Sequence, residues 1–334
     1  MLSSFKSFFG IDEVTFHKRT PLVTDRSKVL ALSQKGAKLC VDKERWSKFV
    51  ELGMNPVHES EEAIERATVV VDCTPVGNEN KEKFYNRYCG NTHGFIAQGS
   101  EFGFGKMYAR GINDATLDAE QDQFIQVVSC NTHNLAVLID TIALGPEKED
   151  HLEEGRFVCM RRASDISEEG EYLPAPQVGC HDDPRFGTHH ARDAFHLFHT
   201  LGLELDLFSS LIKLNTQYMH CIAFNLRLKR KITKEELLKR LKSNPRIALT
   251  QKRSAGPIFS FGRDHGLFGR ILNQTVIPVE SLAVHKEKEV AGFCFTPQDG
   301  NSLLSSISAV EWFLDPDGYE QRLHCLRPYF FSEI

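Results

Sequence analysis

The fold is decided by residues 124–133, Phe124-Ile125-Gln126-Val127-Val128-Ser129-Cys130-Asn131-Thr132-His133. The apolar residues through Val128 predict a buried strand, and the apolar run that follows Asn134 predicts a helix. Cys130 then lies where the strand gives way to the helix, near free backbone N–H groups and the positive end of the helix dipole. That setting lowers the pKa of a thiol, although a free cysteine is more often a small buried apolar residue. The sequence therefore predicts either a nucleophile or a core residue at position 130.

Strand and helix signals alternate on the N-terminal side of this stretch. The predicted strands and helices occupy, in turn, residues 12–16, 24–36, 38–41, 43–53, 60–66, 68–72, 78–89 and 95–98. Residues 68–72 are a β-branched run that is typical of a parallel strand buried on both faces. Ser60 is placed to cap the helix that it begins. The alternation predicts a Rossmann-like, doubly wound α/β domain.

The pattern changes after Cys130. Strands are predicted at residues 156–162, 207–213 and 218–229, and in the last of them one face is shared by His220, Ile222, Phe224, Leu226 and Leu228. Thr233 and Glu236 form a capping box for a helix that ends near Lys242. These signals predict a second, α+β domain with a largely antiparallel sheet, and then a helical segment that returns to the first domain. We expect domains at 1–129 and 130–298, with the C-terminal segment at 299–334.

Composition narrows the class of protein. The 334 residues carry a net charge of −5, which argues against a nucleic-acid binder. Apolar runs are too short to span a membrane, and the first residues do not have the pattern of a secretory signal. The nine cysteines show no CxxC pair and no zinc-type spacing, so we expect a reduced cytoplasmic protein without a metal site.

Seven short blocks carry a family resemblance, in the family's order and near its spacing. They are Val71-Asp72-Cys73-Thr74-Pro75, Gln98-Gly99-Ser100-Glu101, Val128-Ser129-Cys130-Asn131-Thr132, Arg161-Arg162-Ala163-Ser164-Asp165, His189-His190, Pro245-Arg246-Ile247 and Phe261-Gly262-Arg263-Asp264. The chain resembles the archaeal, or type II, phosphorylating glyceraldehyde-3-phosphate dehydrogenases over nearly its whole length. The resemblance implies NAD(P)-dependent oxidation of glyceraldehyde 3-phosphate with inorganic phosphate, through a cysteine thiohemiacetal and thioester, in a homotetramer.

The resemblance also implies roles for single residues. Cys130 matches the nucleophile and His220 the catalytic histidine, which we expect to act as a base. Substrate binding is implied for Ser129, Asn131, His189 and His190, the last two at the substrate phosphate. Cofactor binding is implied for Lys18, Arg19, Gly99, Ser100, Arg162 and Gln298. Two phosphate groups require clustered cations or N–H donors, which Arg162 and the two histidines can supply.

Each residue also has a simpler interpretation. His220 shares a face with apolar residues, so it is alternatively a hydrogen-bonded core histidine. His189 and His190 follow turn residues and are alternatively part of an ordinary loop. Arg161 and Arg162 end a strand, where a solvated arginine is the default.

The chain departs from the family at three places. The family begins with a strand and a glycine-rich turn, whereas residues 1–9 here match its first helix. Either the recorded start is too late in the gene, or the chain has diverged in its use of cofactor. His133-Asn134 replaces a Thr-Gly pair, and Ala191-Arg192-Asp193 replaces Gly-Pro-Asp. These changes leave two alternatives open: another phosphorylating aldehyde or semialdehyde dehydrogenase, and a non-catalytic paralogue that serves as a binding or regulatory subunit.

The choice of cofactor depends on the residue that closes the second strand of such a domain. Here the strand through Phe16 is followed by His17-Lys18-Arg19, with no carboxylate before Asp25. The simple interpretation is a solvated basic loop. The family carries a lysine at the position of Lys18, which implies that NADP is accepted, alone or beside NAD.

Overall fold

The computed structural model describes residues 6–146, 148–164, 172–297 and 299–334, apart from the side chains of Ser7 and Phe8. Gln298, for which the sequence predicts cofactor binding, lies outside the described residues. Within those residues, no helix has both the length and the apolar character needed to cross a membrane. Two parallel sheets and one larger mixed sheet are surrounded by helices, which confirms the predicted Rossmann-like α/β and α+β architecture.

The N-terminal part forms a three-stranded parallel sheet in the order β1-β2-β3. Its elements are α1 (Lys6–Phe9), β1 (Thr15–His17), α2 (Arg26–Gln34), β2 (Lys38–Val41), α3 (Trp46–Glu51) and β3 (His58–Glu59). The helices and β2 share a small apolar core made of Val29, Leu39, Val41, Phe49 and Met54. The sequence predicts β2 to the residue, whereas α3 is shorter than expected because residues 43–45 form a 3-10 turn.

Four parallel strands form the second sheet, in the order β4-β5-β7-β6. Its elements are α4 (Ser60–Arg66), β4 (Val69–Asp72), α5 (Gly77–Lys83), β5 (Gly94–Gln98), β6 (Lys106–Tyr108) and β7 (Phe124–Val127). Among the described strands, β4 pairs with β5 alone, as β1 pairs with β2 alone. Because β4 is an edge strand, residues 69–71 are half-buried, and the prediction of burial on both faces is wrong. Ser60 does not cap α4 but donates a hydrogen bond to Asp42.

The largest sheet is mixed, and most of its pairings are antiparallel, as predicted. Its strands are β8 (Leu152–Arg161), β9 (Gln177–Val178), β10 (Leu207–Lys213), β11 (Cys221–Leu228), β12 (Ile247–Thr250), β13 (Thr275–Pro278), β14 (Ala283–His285) and β15 (Glu289–Phe295). Their order is β12-β13-β15-β11-β8-β10-β9, with β14 beside β15. Burial alternates along β11, so its apolar residues face the core as the sequence predicts.

The helix α6 (Cys130–Leu138) lies at the centre of the molecule and continues as a π-helix, Ile139–Leu144. All its residues after Cys130 are buried. The later helices are α7 (His189–His199), α8 (Lys234–Ser243), α9 (Ala255–His265), α10 (Gly300–Leu314) and α11 (Tyr319–Leu323). The hydroxyl of Thr233 accepts from the N–H of Glu236, so the predicted cap of α8 is confirmed. α10 contacts β4, β5 and β7 on one side and α6 on the other.

Candidate active site

Cys130 is the first residue of α6 and follows the end of β7 by three positions. The preceding Ser129 caps the helix, because its Oγ accepts a hydrogen bond from the N–H of Thr132 at 3.3 Å. The backbone N–H of Asn131 acts on the thiol of Cys130 and lowers its pKa. This geometry confirms the strand-to-helix position predicted for the cysteine, with N–H groups of the first helical turn available around it.

The electrostatic environment of the thiol differs from the prediction. Burial raises the pKa of Cys130 to about 11, and the carboxylate of Asp299 acts in the same direction. The charges of Arg162 and Arg161 and the N–H of Asn131 lower the pKa by less. The predicted lowering of the pKa is therefore wrong, because the loss of water around the sulfur outweighs the helix terminus and two guanidinium groups. The free protein holds a protonated thiol at neutral pH.

His220 immediately precedes β11 and is 8% exposed. Its Nδ1 accepts a hydrogen bond from the backbone N–H of Arg162 at 3.0 Å. Burial lowers the pKa of His220 to about 3, and the charges of Arg162 and Arg161 add to this effect. The ring is therefore neutral, and because Nδ1 is an acceptor, the single ring proton lies on Nε2. In this tautomer Nε2 is a hydrogen-bond donor and has no lone pair with which to act as a base.

His189 and His190 open α7, with their ring centroids 3.9 Å apart. The Nδ1 of His190 lies 3.4 Å from the Oγ of Ser129, so the pair of histidines lies beside the residue that caps α6. Its Nε2 is buried without a hydrogen-bond partner among the described residues. Burial lowers the pKa of His189 to about 4 and the pKa of His190 well below its usual range. Both rings are neutral, so they offer N–H donors rather than positive charge.

Positive charge at the site comes from the end of β8. Arg162 is 7% exposed, and its Nη2 lies 3.4 Å from Oδ2 of Asp299, the residue before α10. The neighbouring Arg161 is exposed, yet its charge perturbs the pKa of Cys130, His189 and His220. Sequence reasoning missed Arg161 and Asp299. Two successive arginines at a strand end were a usable signal for the first, and for Asp299 the signal was its neighbour Gln298, to which the resemblance assigns cofactor binding.

The turn after β5 connects the second parallel sheet to this site. Gly99 adopts a φ of +82°, and its N–H donates to the carbonyl of Val127 at 2.9 Å. A Cβ added at Gly99 would meet nothing within 4 Å, and the next residue, Ser100, is exposed. Open space at the carboxyl ends of parallel strands is where doubly wound domains bind dinucleotides. The open turn at Gly99 and Ser100 is therefore compatible with the cofactor contact that the resemblance implies for these two residues.

Lys18 and Arg19 follow β1 in the other parallel sheet, and the structure does not bring them to Cys130. The Nζ of Lys18 forms an ion pair with Asp25 at 2.6 Å, so the first downstream carboxylate folds back onto the lysine. Sequence reasoning missed a second carboxylate: Oδ1 of Asp42, after β2, lies 3.1 Å from Nε2 of His17. Its position after the neighbouring strand was the available signal.

The parallel sheets are of the kind that binds dinucleotides, and Cys130 and His220 lie at the start of α6 and immediately before β11. This combination is typical of two-part α/β dehydrogenases. In the described part of the chain, no three His, Cys, Asp or Glu residues are grouped to hold a metal ion. No profile of a known protein family matches the chain.

Curated relatives identify the family. The glyceraldehyde-3-phosphate dehydrogenase of Sulfolobus acidocaldarius is 31% identical over 260 residues, which cover 75% of this chain and 71% of that protein. The protein of the same name from Saccharolobus islandicus strain L.S.2.15 is 31% identical over 222 residues, 65% of this chain and 60% of its own length. That from Metallosphaera sedula is 28% identical over 260 residues. The chain belongs to the glyceraldehyde-3-phosphate dehydrogenase family.

Proposed function

We propose that this protein oxidises glyceraldehyde 3-phosphate to 1,3-bisphosphoglycerate, with NADP or NAD as oxidant and inorganic phosphate as acyl acceptor. The family membership supports the proposal, since the relatives carry this aldehyde in their names. The observation that carries it is the position of Cys130 at the start of α6, where its pKa responds to the charges of Arg161 and Arg162. The sulfur of a cysteine can attack an aldehyde carbon to form a covalent intermediate, and guanidinium groups are well suited to binding phosphate.

The proposed chemistry begins when the thiol of Cys130 loses its proton to water. The sulfur then attacks the aldehyde carbon, so that a C–S bond forms and the carbonyl electron pair moves to oxygen. The Nε2–H of His220 donates to this oxygen, a role that replaces the predicted base because Nδ1 is already an acceptor. A nicotinamide dinucleotide held at Gly99 and Ser100 would accept the hydride that leaves the thiohemiacetal carbon, so that this carbon becomes a thioester. A phosphate oxygen then attacks that carbon, and the C–S bond breaks to release the acyl phosphate and the thiolate.

Arg162 is the proposed cationic contact for phosphate, with His189 and His190 as neutral N–H donors. Burial of Arg162 favours this role, because a charge-assisted hydrogen bond is stronger where water is excluded. Residues 191–193, which differ from the family pattern, lie directly after the histidine pair on α7. Because these residues adjoin the proposed phosphate contacts, a change in them can change the preferred aldehyde, and the test therefore includes other aldehydes.

The test is an assay of the purified full chain by formation of reduced cofactor. We expect oxidation of glyceraldehyde 3-phosphate that requires added phosphate and is lost in Cys130→Ser. Faster oxidation of a different aldehyde, with the same phosphate requirement, would identify another phosphorylating dehydrogenase. Cofactor binding without oxidation of any aldehyde would refute the proposed activity and favour a binding or regulatory subunit.

We also propose that the protein forms a homo-oligomer through the open face of the mixed sheet. The family resemblance implies that this oligomer is a tetramer. Val158, Ala223 and Phe293 lie side by side on β8, β11 and β15, and both large side chains are more than 40% exposed. Aligned exposed apolar groups are typical of interaction sites. Light scattering should show an oligomer that Phe293→Lys dissociates, and a monomeric parent would refute it.

A reducing, cytoplasmic setting is supported by nine cysteines that are all free.

A further inference from the structure

The first turn of α6 carries a buried hydrogen-bond chain that the proposed chemistry does not yet use. The Nδ2 of Asn134 donates to the carbonyl oxygen of Cys130 at 2.9 Å and to the Oγ1 of Thr296 at 2.9 Å. The Oγ1 of Thr296 lies 3.1 Å from the Oδ1 of Asn131. Asn131 and Thr296 are each 2% exposed, and Asn134 is fully buried. The chain therefore begins at the nucleophile's own carbonyl and ends at the side chain next to it.

Elementary donor and acceptor rules give this chain a single direction. A carbonyl oxygen only accepts, so the amide of Asn134 must turn its nitrogen toward Cys130. The same nitrogen gives its second hydrogen to Thr296. The hydroxyl of Thr296 has one hydrogen, and among the described residues its only other contact is the Oδ1 of Asn131. That oxygen therefore receives the hydrogen, because a reversed Asn131 amide would leave it without an acceptor. The oxygen of the Asn131 amide is thereby occupied, and its Nδ2 group is left as the donor.

Two neighbouring contacts agree with this direction. The Oδ1 of Asn134 accepts from the thiol of Cys294 at 3.6 Å. Burial raises the pKa of Cys294 to about 12, so this thiol keeps its hydrogen and serves as a donor. The Nδ2 of Asn301 also donates to the carbonyl oxygen of Cys130, at 2.9 Å, so that two amide nitrogens hold this oxygen in place.

We propose that Asn134 and Thr296 are positioning residues that orient the amide of Asn131 so that its Nδ2 donates to the substrate oxygen as the carbon–sulfur bond forms. This inference rests on the proposed function. An oxygen that gains negative charge is stabilised by a fixed donor and destabilised by a carbonyl oxygen in the same place. With the Thr-Gly pair of the family at positions 133 and 134, Thr296 would have no donor to set its direction. This protein therefore orients Asn131 with the side chain of Asn134, at a position where the family pattern has glycine.

The test compares two substitutions of Thr296 that differ in the hydroxyl. Thr296→Val keeps the shape and removes the relay, so kcat should fall roughly 10- to 100-fold. This is less than the roughly 100- to 1000-fold loss for removing an oxyanion donor outright, because the Asn131 amide is still present. The KM for the aldehyde should stay within about twofold, because the relay matters only as charge develops on oxygen. Thr296→Ser keeps the hydroxyl and should retain kcat within about threefold.

Asn134→Asp tests the direction of the chain itself. A carboxylate at this position accepts from Thr296, which then accepts from Asn131 and reverses its amide. We expect this variant to lose at least as much kcat as Thr296→Val. In the background of Asn131→Ala, Thr296→Val should cause no further loss, because both act through one amide. Ser308→Ala, which removes another buried hydroxyl that bonds within α10, is the matched control and should leave kcat unchanged.

A structural role predicts a different result. If Thr296→Val and Thr296→Ser lower the melting temperature equally and leave kcat at the parent value, the positioning role is wrong while the proposed function stands. Additive losses in Asn131→Ala and Thr296→Val would also overturn it. A parent protein that oxidises no aldehyde would refute the proposed function and this role together.

Discussion

The Nδ1 atom of His220 accepts a hydrogen bond from the backbone N–H of Arg162 at 3.0 Å. This contact joins the start of β11 to the end of β8 and decides what the histidine can do. A ring nitrogen that accepts carries no proton, so the neutral ring presents N–H at Nε2. The same contact holds Arg162 beside the histidine, and its charge helps to keep the ring neutral. Histidine and arginine therefore form one unit in which the imidazole donates and the guanidinium supplies charge.

His220→Asn should lower kcat by roughly 100-fold, in the usual range for a lost proton-transfer or donor group. Burial lowers the pKa of the ring to about 3, so it does not titrate between pH 5 and 8. The rate of the parent should therefore rise with pH toward the ionisation of the thiol, without a step at the usual histidine pKa. The pH dependence of kcat/KM in parent and variant checks this. A step near pH 6.5 that disappears in His220→Asn would contradict the neutral-donor role.

Alkylation by iodoacetamide should reveal the raised pKa of Cys130. The pKa of about 11 leaves little thiolate at neutral pH, so Cys130 should react more slowly than the exposed Cys180 in the free protein. Its rate should then rise with pH well beyond pH 9. Peptide mapping of the labelled residues checks both points. This order is the reverse of what the helix terminus alone predicts, and fast labelling of Cys130 at pH 7 would contradict the dominance of burial.

Asp299→Asn should change the rate of that alkylation, and Asp182→Asn is its matched control. Its carboxylate raises the pKa of the Cys130 thiol, so removal of this charge should lower the thiol pKa and speed alkylation at pH 8. Asp182→Asn removes a charge from an exposed position outside the residues that perturb Cys130, and its labelling rate should match the parent. Equal rates in all three proteins would mean that desolvation alone sets the reactivity of the thiol.

Acid should destabilise the protein through its buried neutral histidines. Burial lowers the pKa of His133 and His189 to about 4 and of His220 to about 3. Because the folded state binds protons less readily than the unfolded chain, stability is present above about pH 6.5 and is lost as pH falls toward 4. Urea denaturation at several pH values should show this slope. His189→Gln should reduce the slope, and an unchanged slope would contradict the assignment.

The sequence predicts the frame of the site better than its electrostatics. The apolar run before Cys130 is a local signal, and it placed the transition from strand to helix at Cys130 correctly, although the cap at Ser129 was not predicted. The pKa of the thiol depends instead on tertiary burial and on Asp299, which is remote in the sequence. The partners of Asn134 were equally invisible, because Thr296 meets α6 only once β15 is in place. Local periodicity therefore predicted elements, whereas contacts between distant segments set the chemistry.

Arg162→Ala should raise the KM for glyceraldehyde 3-phosphate and for inorganic phosphate more than the KM for an unphosphorylated aldehyde. The loss of a charge-assisted contact to phosphate corresponds to roughly 1.5–3 kcal/mol, or about a 10- to 100-fold change. Arg162→Lys keeps the charge without the bidentate geometry, so its KM values should lie between those of the parent and those of Arg162→Ala. Steady-state kinetics with both aldehydes check this. A uniform loss across both substrates would assign the Arg162 side chain to the fold, through its ion pair with Asp299.

Cofactor choice should depend on the pair formed by Lys18 and Asp25. Lys18 lies after β1, where a basic residue accommodates the 2′-phosphate of NADP, but its Nζ is held by Asp25 at 2.6 Å. Lys18→Glu should weaken NADP binding about 10- to 100-fold, the equivalent of one charge-assisted contact, with a much smaller effect on NAD. Asp25→Asn should tighten NADP binding and leave NAD unchanged, because it removes the internal competitor for the lysine. Calorimetric dissociation constants for both cofactors in the three proteins check these expectations. A ratio of NADP to NAD affinity that neither substitution changes would mean that residues 17–19 are a solvated basic loop.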